Sequence, residues 1–217
     1  MNIGNELNQT EKEIVVLFLK SPLESYTINA ITKKINRYLS QVQKAIKHLH
    51  ELKILELRKT GIKTNSCTIN FSSADLDLLT LAAIYSKNNF LQKNLKIKII
   101  YQELQRAFGL DLFIMLIFGS YAKGMQHQHS DIDLCLIVQN NTEDFKDKVK
   151  STLSKYSYKI HLNIFTTGEF YNMLSKKNSV GREIWLNSII LQGHDLYYKM
   201  VKKYDQEFGY TTSHSIV

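Results

Sequence analysis

The chain has 217 residues, of which 44% are hydrophobic, and a formal net charge of +8. This length and apolar content support the cores of two small domains and are typical of an ordinary soluble protein rather than a membrane protein. Residues 1–6 lack the basic and apolar stretches of a signal peptide, and Cys67 and Cys135 show no disulfide pattern. We therefore expect a cytoplasmic protein with no membrane partner.

Residues 1–70 predict three short helices followed by a β-hairpin. Thr10 and Glu13 have the spacing of a capping box before an apolar stripe, Thr27 caps a second helix, and residues 40–43 form another capping box. Residues 54–58 and 64–70 predict two strands around a glycine-containing turn. This order of elements resembles that of winged helix-turn-helix regulators, so we expect a DNA-binding domain over residues 1–70.

Basic residues are concentrated in this first segment. Eleven Lys and Arg against six Asp and Glu in residues 1–70 account for +5 of the net charge of +8. Such a surface binds phosphate backbones with a salt-dependent affinity. A protein-docking or purely structural role is the alternative, and DNA binding would favour a homodimer on paired half-sites. The predicted DNA-binding residues are Arg37, Gln41, Lys44, Lys47, His48, Arg58, Lys59 and Lys63.

Residues 71–108 predict a helical connector. The chain contains one proline in total, and no Pro- or Gly-rich tether separates the two halves. A second domain is expected over residues 109–217.

An apolar run over residues 112–118 predicts a buried strand that ends at Gly119. Glycine lets the backbone approach a ligand closely, and Ser120 can offer a hydroxyl and an amide to a phosphate. Lys123 follows in the predicted short helix, where it either reaches a phosphate or is a solvated surface lysine. Tyr121 is expected to pack inside the domain.

Asp131 and Asp133 are two residues apart on the next predicted strand, so both carboxylates point to the same side while Ile132 and Leu134 point into the core. Paired carboxylates are hard oxygen ligands for Mg²⁺ beside a triphosphate. The pattern predicts a metal and nucleotide site.

Together, Gly119, Ser120, Asp131 and Asp133 resemble the signature of the nucleotidyltransferases that share the DNA polymerase beta fold, over about residues 110 to 200. The minimal nucleotidyltransferases are most similar. The resemblance implies a mixed β-sheet flanked by helices, ATP or another NTP as substrate, Mg²⁺ as cofactor, and transfer of AMP to a protein or RNA hydroxyl. It also implies an antitoxin role with a HEPN-type ribonuclease as partner.

A third carboxylate, which the family carries on the following strand, is absent from its expected place. In residues 159–165 either His161 or Asn163 occupies that face. His161 could accept a proton or ligate a metal, whereas Asn163 cannot act as a base. Glu169 is expected to be a first-turn charge of a helix rather than a replacement acid.

The remaining pattern predicts a strand–helix–strand unit over residues 132–165, a short strand at 189–191 and a final helix. His127 and His129 are expected to be loop residues rather than zinc ligands. The fold class is thus a two-domain α+β or α/β protein. Two alternatives to a protein- or RNA-modifying transferase stay open: a transcription regulator whose transferase-like domain senses nucleotide, and a small-molecule transferase of the aminoglycoside-modifying kind.

Overall fold

The structure is a computed structural model that describes residues 7–59, 65–109, 114–139, 142–176 and 179–209. By its internal contacts the chain divides into two compact units: residues 1–85 with 197–217, and residues 86–196. This partition groups the end of the chain with its beginning. The boundaries expected from the sequence, after residues 70 and 108, stay a prediction.

The first unit contains helices and a small sheet in alternation. Its elements are α1 (Gln9–Leu19), β1 (Tyr26–Thr27), α2 (Ile28–Ile35), α3 (Leu39–Glu51), β2 (Leu55–Lys59), β3 (Asn65–Ile69), the first part of α4 (Leu76–Lys93) and most of α10 (His194–Phe208). The strands form an antiparallel sheet in the order β1-β3-β2. The core of this unit includes Ile14, Phe18, Ile46 and Leu49, each at most 2% exposed.

Both predicted capping boxes at the helix starts are wrong. Helix α1 is capped by Asn8, whose side chain accepts a hydrogen bond from the Glu11 amide at 3.1 Å while the Glu11 carboxylate accepts one from the Asn8 amide at 2.7 Å. Helix α3 begins at Leu39, after Tyr38, with no side-chain cap. The spacing of a capping box occurs at more than one place in a polar segment. In α1 it is formed by Asn8 and Glu11, and Leu7, the residue before this cap, is buried.

Helix α10 is attached to the segment before α4 by a buried carboxylate. Asp205, 1% exposed, accepts hydrogen bonds from the Ser72 hydroxyl at 2.7 Å and the Ser72 amide at 3.2 Å. The rings of Phe71 and Tyr198 stack at 6.3 Å beside it. This contact joins residues 133 positions apart, which explains why the end of the chain belongs to the first unit.

The second unit is a mixed sheet with helices. Its elements are the end of α4, α5 (Leu95–Phe108), β4 (Ile114–Phe118), α6 (Gly119–Lys123), β5 (Ile132–Val138), α7 (Thr142–Leu153), β6 (Ile160–Thr166), α8 (Thr167–Leu174), α9 (Val180–Leu186), β7 (Ile189–Gln192) and the start of α10. The strand order is β6-β5-β4-β7; β5 and β6 are parallel and the other pairs are antiparallel. The predicted mixed sheet flanked by helices is confirmed.

One apolar cluster holds α5, α7 and the sheet together. Ile97 and Leu104 of α5 and Val149 of α7 pack with Ile132 and Leu134 of β5, and each is at most 2% exposed. Burying one such aliphatic side chain stabilises a fold by about 1.5–3 kcal/mol. Because alternate residues of β5 are held in this cluster, the other residues at its start face away from it.

No helix within the described ranges combines the length and the hydropathy that a membrane span requires.

Candidate active site

The turn between β4 and α6 depends on Gly119. Its φ of +65° lies in the left-handed region, which residues other than glycine rarely adopt. A Cβ at this position would lie 2.0 Å from Oδ2 of Asp133, much closer than two such atoms can approach. Phe118, the residue before it, is the strand partner of Asp133. The turn and the carboxylate of Asp133 are therefore in direct contact.

Asp131, the residue before β5, and Asp133 of β5 lie on the side of this strand opposite the core. Ile132 is 2% exposed and Leu134 is 0% exposed, whereas the side chains of Asp131 and Asp133 are 32% and 25% exposed. The Ile132 amide donates to the Lys159 carbonyl at 2.9 Å, which fixes the start of β5 against the start of β6. The two carboxylates share one solvent-facing side of the strand, with the Gly119 turn beside them.

His161 lies between these two carboxylates. It pairs with Asp133 in the parallel ladder of β5 and β6. Its Nδ1 lies 3.3 Å from Oδ1 of Asp133, and its Nε2 lies 3.3 Å from Oδ2 of Asp131. Asn163 lies two pairs further along, opposite Cys135. Of the two residues that the sequence left open for the place of the third acid, His161 is the one that contacts the carboxylates.

The donor set of this site suits a hard cation through its oxygens. Mg²⁺ takes oxygen ligands and is commonly held by one or two carboxylates together with water and substrate phosphates. Asp131 and Asp133 supply such carboxylates, whereas an imidazole nitrogen such as that of His161 suits softer metals. Across the described ranges, no group of three or more His, Cys, Asp and Glu side chains is arranged to hold a metal ion. A bound Mg²⁺ would thus need phosphate or water oxygens in addition to this pair.

Lys123, a predicted phosphate ligand, follows the Gly119 turn at the end of α6. Its Nζ lies 3.4 Å from Oε1 of Glu183, and the two side chains are 34% and 48% exposed. A solvated ion pair of this kind contributes little to stability, about 0–1 kcal/mol, and is readily exchanged for another anion. Tyr121, 7% exposed, packs in the core as expected.

Glu169 completes the capping box of α8, whose N-cap is Thr166. Its carboxylate accepts a hydrogen bond from the Thr166 amide at 2.7 Å and one from the Thr166 hydroxyl at 2.9 Å. The bond from the backbone amide, followed by the bond from the hydroxyl, lowers the pKa of this carboxyl. A carboxylate used in this way belongs to the helix start, as the sequence predicted, and does not replace the third acid.

In the first unit, the predicted DNA-binding residues fall into two groups. Arg37 donates two hydrogen bonds of 2.8 Å to Glu13, His48 Nδ1 lies 2.8 Å from Glu11, and Arg58 lies 3.1 Å from Glu56. The exposed residues of the predicted set are Gln41, Lys44, Lys47 and Lys59. Lys63 lies outside the described residues.

Tyr38, which precedes α3, was missed by the sequence reasoning. It is 80% exposed, and Leu39 beside it is 44% exposed. Its exposure could have been predicted from the sequence. Aromatic residues of the core follow the helical period, whereas Tyr38 precedes a helix start and belongs to no apolar stripe.

Comparison with known proteins assigns the second unit. Residues 102–195 match the family model described as polymerase beta, nucleotidyltransferase, and this segment is a nucleotidyltransferase domain. A protein of Methanocaldococcus jannaschii, whose name gives protein adenylyltransferase as its proposed activity, is 32% identical over 66 residues, or 29% of this chain and 45% of that protein. The chain thus spans less than half the length of this curated relative.

Two solved structures are matched over about half of this chain. A crystal structure of a toxin–antitoxin with AMP-PNP is 19% identical, has a TM-score of 0.35, and is matched over 51% of this chain and 87% of that chain. A variant of the MntA–HpeT toxin–antitoxin is 17% identical, has a TM-score of 0.36, and is matched over 52% of this chain and 89% of that chain. At scores this low we draw nothing further from either likeness.

Proposed function

We propose that the chain transfers AMP from ATP to a hydroxyl group of a protein. The nucleotidyltransferase domain over residues 102–195 supports the reaction class. The name of the Methanocaldococcus jannaschii relative supports adenylylation and a protein as acceptor, in preference to RNA. By the resemblance drawn from the sequence, the partner would be a HEPN-type ribonuclease and the chain its antitoxin.

The observation that carries this proposal is the contact between the Gly119 turn and Asp133. A side chain at position 119 would collide with that carboxylate at 2.0 Å, so the two groups are adjacent. A triphosphate held by Ser120 at the turn would therefore lie beside the metal-binding carboxylates. Transferases of this kind work mainly by placing the reacting groups and stabilising charge on phosphate oxygens.

In the proposed site, Asp131 and Asp133 would hold Mg²⁺, which neutralises charge on the phosphate oxygens when it is bound. Ser120 orients the triphosphate with its hydroxyl, and Lys123 exchanges Glu183 for a phosphate oxygen. The acceptor oxygen bonds to the α-phosphorus, the bond to the β-phosphate oxygen breaks, and pyrophosphate leaves. His161, which contacts both carboxylates, takes the proton of the acceptor hydroxyl.

Labelled ATP tests the reaction. The full chain is incubated with α-labelled ATP, Mg²⁺ and co-expressed candidate acceptor proteins, and each acceptor is analysed by mass spectrometry for an added AMP. Transfer is expected for the native chain and for Asp147→Ala, an exposed aspartate of α7 outside the site. It is expected to disappear in Asp131→Ala and Asp133→Ala. Equal transfer by all four proteins would overturn the assignment of the site.

The place of His161 favours a second candidate function. Because a histidine lies where the family carries a carboxylate, the domain would bind nucleotide and turn it over slowly or not at all, as a sensor within a transcription regulator. ATP binding that depends on Ser120, without transfer to any acceptor, would select this function over the first.

For the first unit we propose a winged helix-turn-helix that binds DNA, as a monomer or a homodimer. The order of three helices and an antiparallel sheet supports it, as do the exposed Gln41, Lys44, Lys47 and Lys59. A fluorescence-anisotropy titration of DNA at increasing salt tests it. Steeply weakening affinity supports DNA binding, and the absence of binding at low salt contradicts it.

A further inference from the structure

A cavity of about 230 Å³ opens in the second unit where β5 and β6 begin. Tyr121 and Ile132 form its floor and are 7% and 2% exposed. Ile132 points to the side of β5 opposite Asp131 and Asp133, and neither carboxylate is among the described residues that line the cavity. The cavity is therefore separate from the candidate active site, although it adjoins the same strand.

The charge of the cavity is positive. Lys96 from α5, Lys159 from the start of β6 and His129 from the loop before β5 line it, and none of the described lining residues is Asp or Glu. Neither lysine is paired with a carboxylate in the described part of the chain. Because neither ammonium group is already paired, an anion bound in the cavity would be attracted to both without breaking an existing ion pair.

The walls are held in place by contacts that do not involve a ligand. The Ser130 hydroxyl accepts a hydrogen bond from the His127 amide at 2.7 Å, which closes the loop at the rim. Tyr158 stacks on Tyr156 at 5.8 Å with an interplanar angle of 2°, and the Lys96 ammonium lies 5.7 Å from the centre of the Tyr158 ring. The Lys96 ammonium is thus in contact with a wall of the cavity before any ligand arrives, while the Lys159 side chain is exposed at its edge.

We propose that this cavity binds the phosphate group of a small phosphorylated molecule. Lysine ammonium groups bind phosphate as point charges, and the Ser130 hydroxyl adds a neutral donor. A volume of about 230 Å³ exceeds the ~30 Å³ of a water molecule many times and falls just below the ~300–1,000 Å³ of ordinary ligand pockets. It accommodates a phosphate together with one further group, either a second phosphate or a sugar.

A ligand in the cavity would contact both chain neighbours of Asp131. Ser130 and Ile132 line the cavity, and the Ile132 amide is bonded to the carbonyl of Lys159, another lining residue. Binding of a phosphorylated ligand in the cavity would therefore affect the position of the segment that carries Asp131, a candidate catalytic carboxylate. This site goes beyond the proposed AMP transfer, in which none of its lining residues takes part.

Calorimetric titration of the full chain with inorganic phosphate, pyrophosphate and AMP, each in the presence of EDTA, tests the proposal. The variants Lys96→Gln and Lys159→Gln are expected to bind the tightest of the three probes about tenfold more weakly, as for the loss of one charge-assisted contact. The matched control is Lys98→Gln, which removes the same charge from an exposed position of α5 outside the cavity. Circular dichroism verifies the fold of each variant.

The probes also identify the source of the phosphate. Tightest binding of AMP supports a nucleotide, and tightest binding of pyrophosphate supports a polyphosphate. Absence of binding by all three probes overturns the proposal, as does binding that is unchanged in both cavity variants. Binding lost in Ser120→Ala overturns it as well, because the ligand then lies at the Gly119 turn. The titration needs no turnover, so its outcome is independent of whether AMP transfer is observed.

Discussion

The sequence predicted two charged sites, the carboxylate pair of the second unit and the basic surface of the first unit, and the two differ in how their charged side chains are paired in the fold. In the second unit, Asp131, Asp133 and His161 converge, each carboxylate 3.3 Å from a ring nitrogen. In the first unit, Arg37 and Arg58 each lie within hydrogen-bonding distance of a glutamate of the same unit. The register of two paired strands brings the side chains of the second unit together, whereas Arg37, between α2 and α3, and Arg58, on β2, are each paired with an acid of their own unit.

The largest expected effect is that of Gly119→Ala, which would disturb the arrangement of Asp133 beside the Gly119 turn in the second unit. Its methyl group would collide with Asp133, so we expect AMP transfer to fall at least about a hundredfold through displacement of that carboxylate. Gly124→Ala is the matched control, because Gly124 has a similar φ of +69° but nothing within 4 Å of an added Cβ. Equal loss of activity in both variants would show that backbone strain, and not the carboxylate, is responsible.

His161→Ala sharpens the account of the missing acid. If the imidazole accepts the acceptor proton, transfer is expected to fall by about two orders of magnitude, the usual contribution of a general base. Asn163→Ala, two strand pairs away, is expected to change the rate little. The measurement is the single-turnover rate at saturating ATP; an unchanged rate in His161→Ala would favour the nucleotide-sensing function.

Acid is expected to destabilise the second unit through His194. Burial is the main cause that lowers the pKa of this side chain from 6.5 to about 4, so the unfolded chain binds the proton more readily than the folded one. Above pH 6.5 the neutral His194 does not destabilise the fold. As the pH falls from 6.5 toward 4, the free energy of unfolding decreases, by at most about 3 kcal/mol. Urea unfolding of the native chain and of His194→Gln at pH 7 and pH 5 measures it; equal pH dependence in both would contradict this assignment.

The paired arginine of the first unit is expected to affect stability more than DNA binding. The hydrogen bond from Arg37 lowers the pKa of Glu13 below 4.5, so the pair stabilises the fold above that pH and ceases to do so as the pH falls through the lowered pKa. Arg37→Gln should cost about 1 kcal/mol at pH 7, because both side chains are partly solvated. Urea unfolding at pH 7 and pH 3 measures this; a loss in Arg37→Gln that is equal at both pH values would count against the pair.

The smallest effect on stability is expected for Lys47→Ala. In contrast to Arg37→Gln, this variant should alter DNA binding rather than stability. The lysine is exposed on α3, so its loss should leave stability within about 0.5 kcal/mol and reduce the salt slope of DNA binding by about one phosphate contact. Lys203→Ala, an exposed lysine of α10, is the control and should leave the slope unchanged. An unaltered slope in Lys47→Ala would remove α3 from the DNA-binding surface.

Short-range spacing was sufficient to predict much of the second unit. The apolar run before Gly119, the alternation around Asp131 and Asp133, and the strand–helix–strand pattern of residues 132–165 all predicted elements that the structure contains. The helix starts were less predictable, because several polar residues near Asn8 and Tyr38 have the spacing of a cap and only the packing of the following helix selects one.

The sequence by itself determined the strands of the second unit and the pair of carboxylates beside a glycine turn, since strand periodicity and a two-residue spacing are local properties of the chain. Only the tertiary structure decided that His161 rather than Asn163 meets those carboxylates, because the register of β5 against β6 joins segments distant in sequence. It likewise decided that Asp205 binds Ser72, and that Lys96 and Lys159 meet at one cavity. Such contacts depend on long-range packing, for which a single sequence carries no periodic signal.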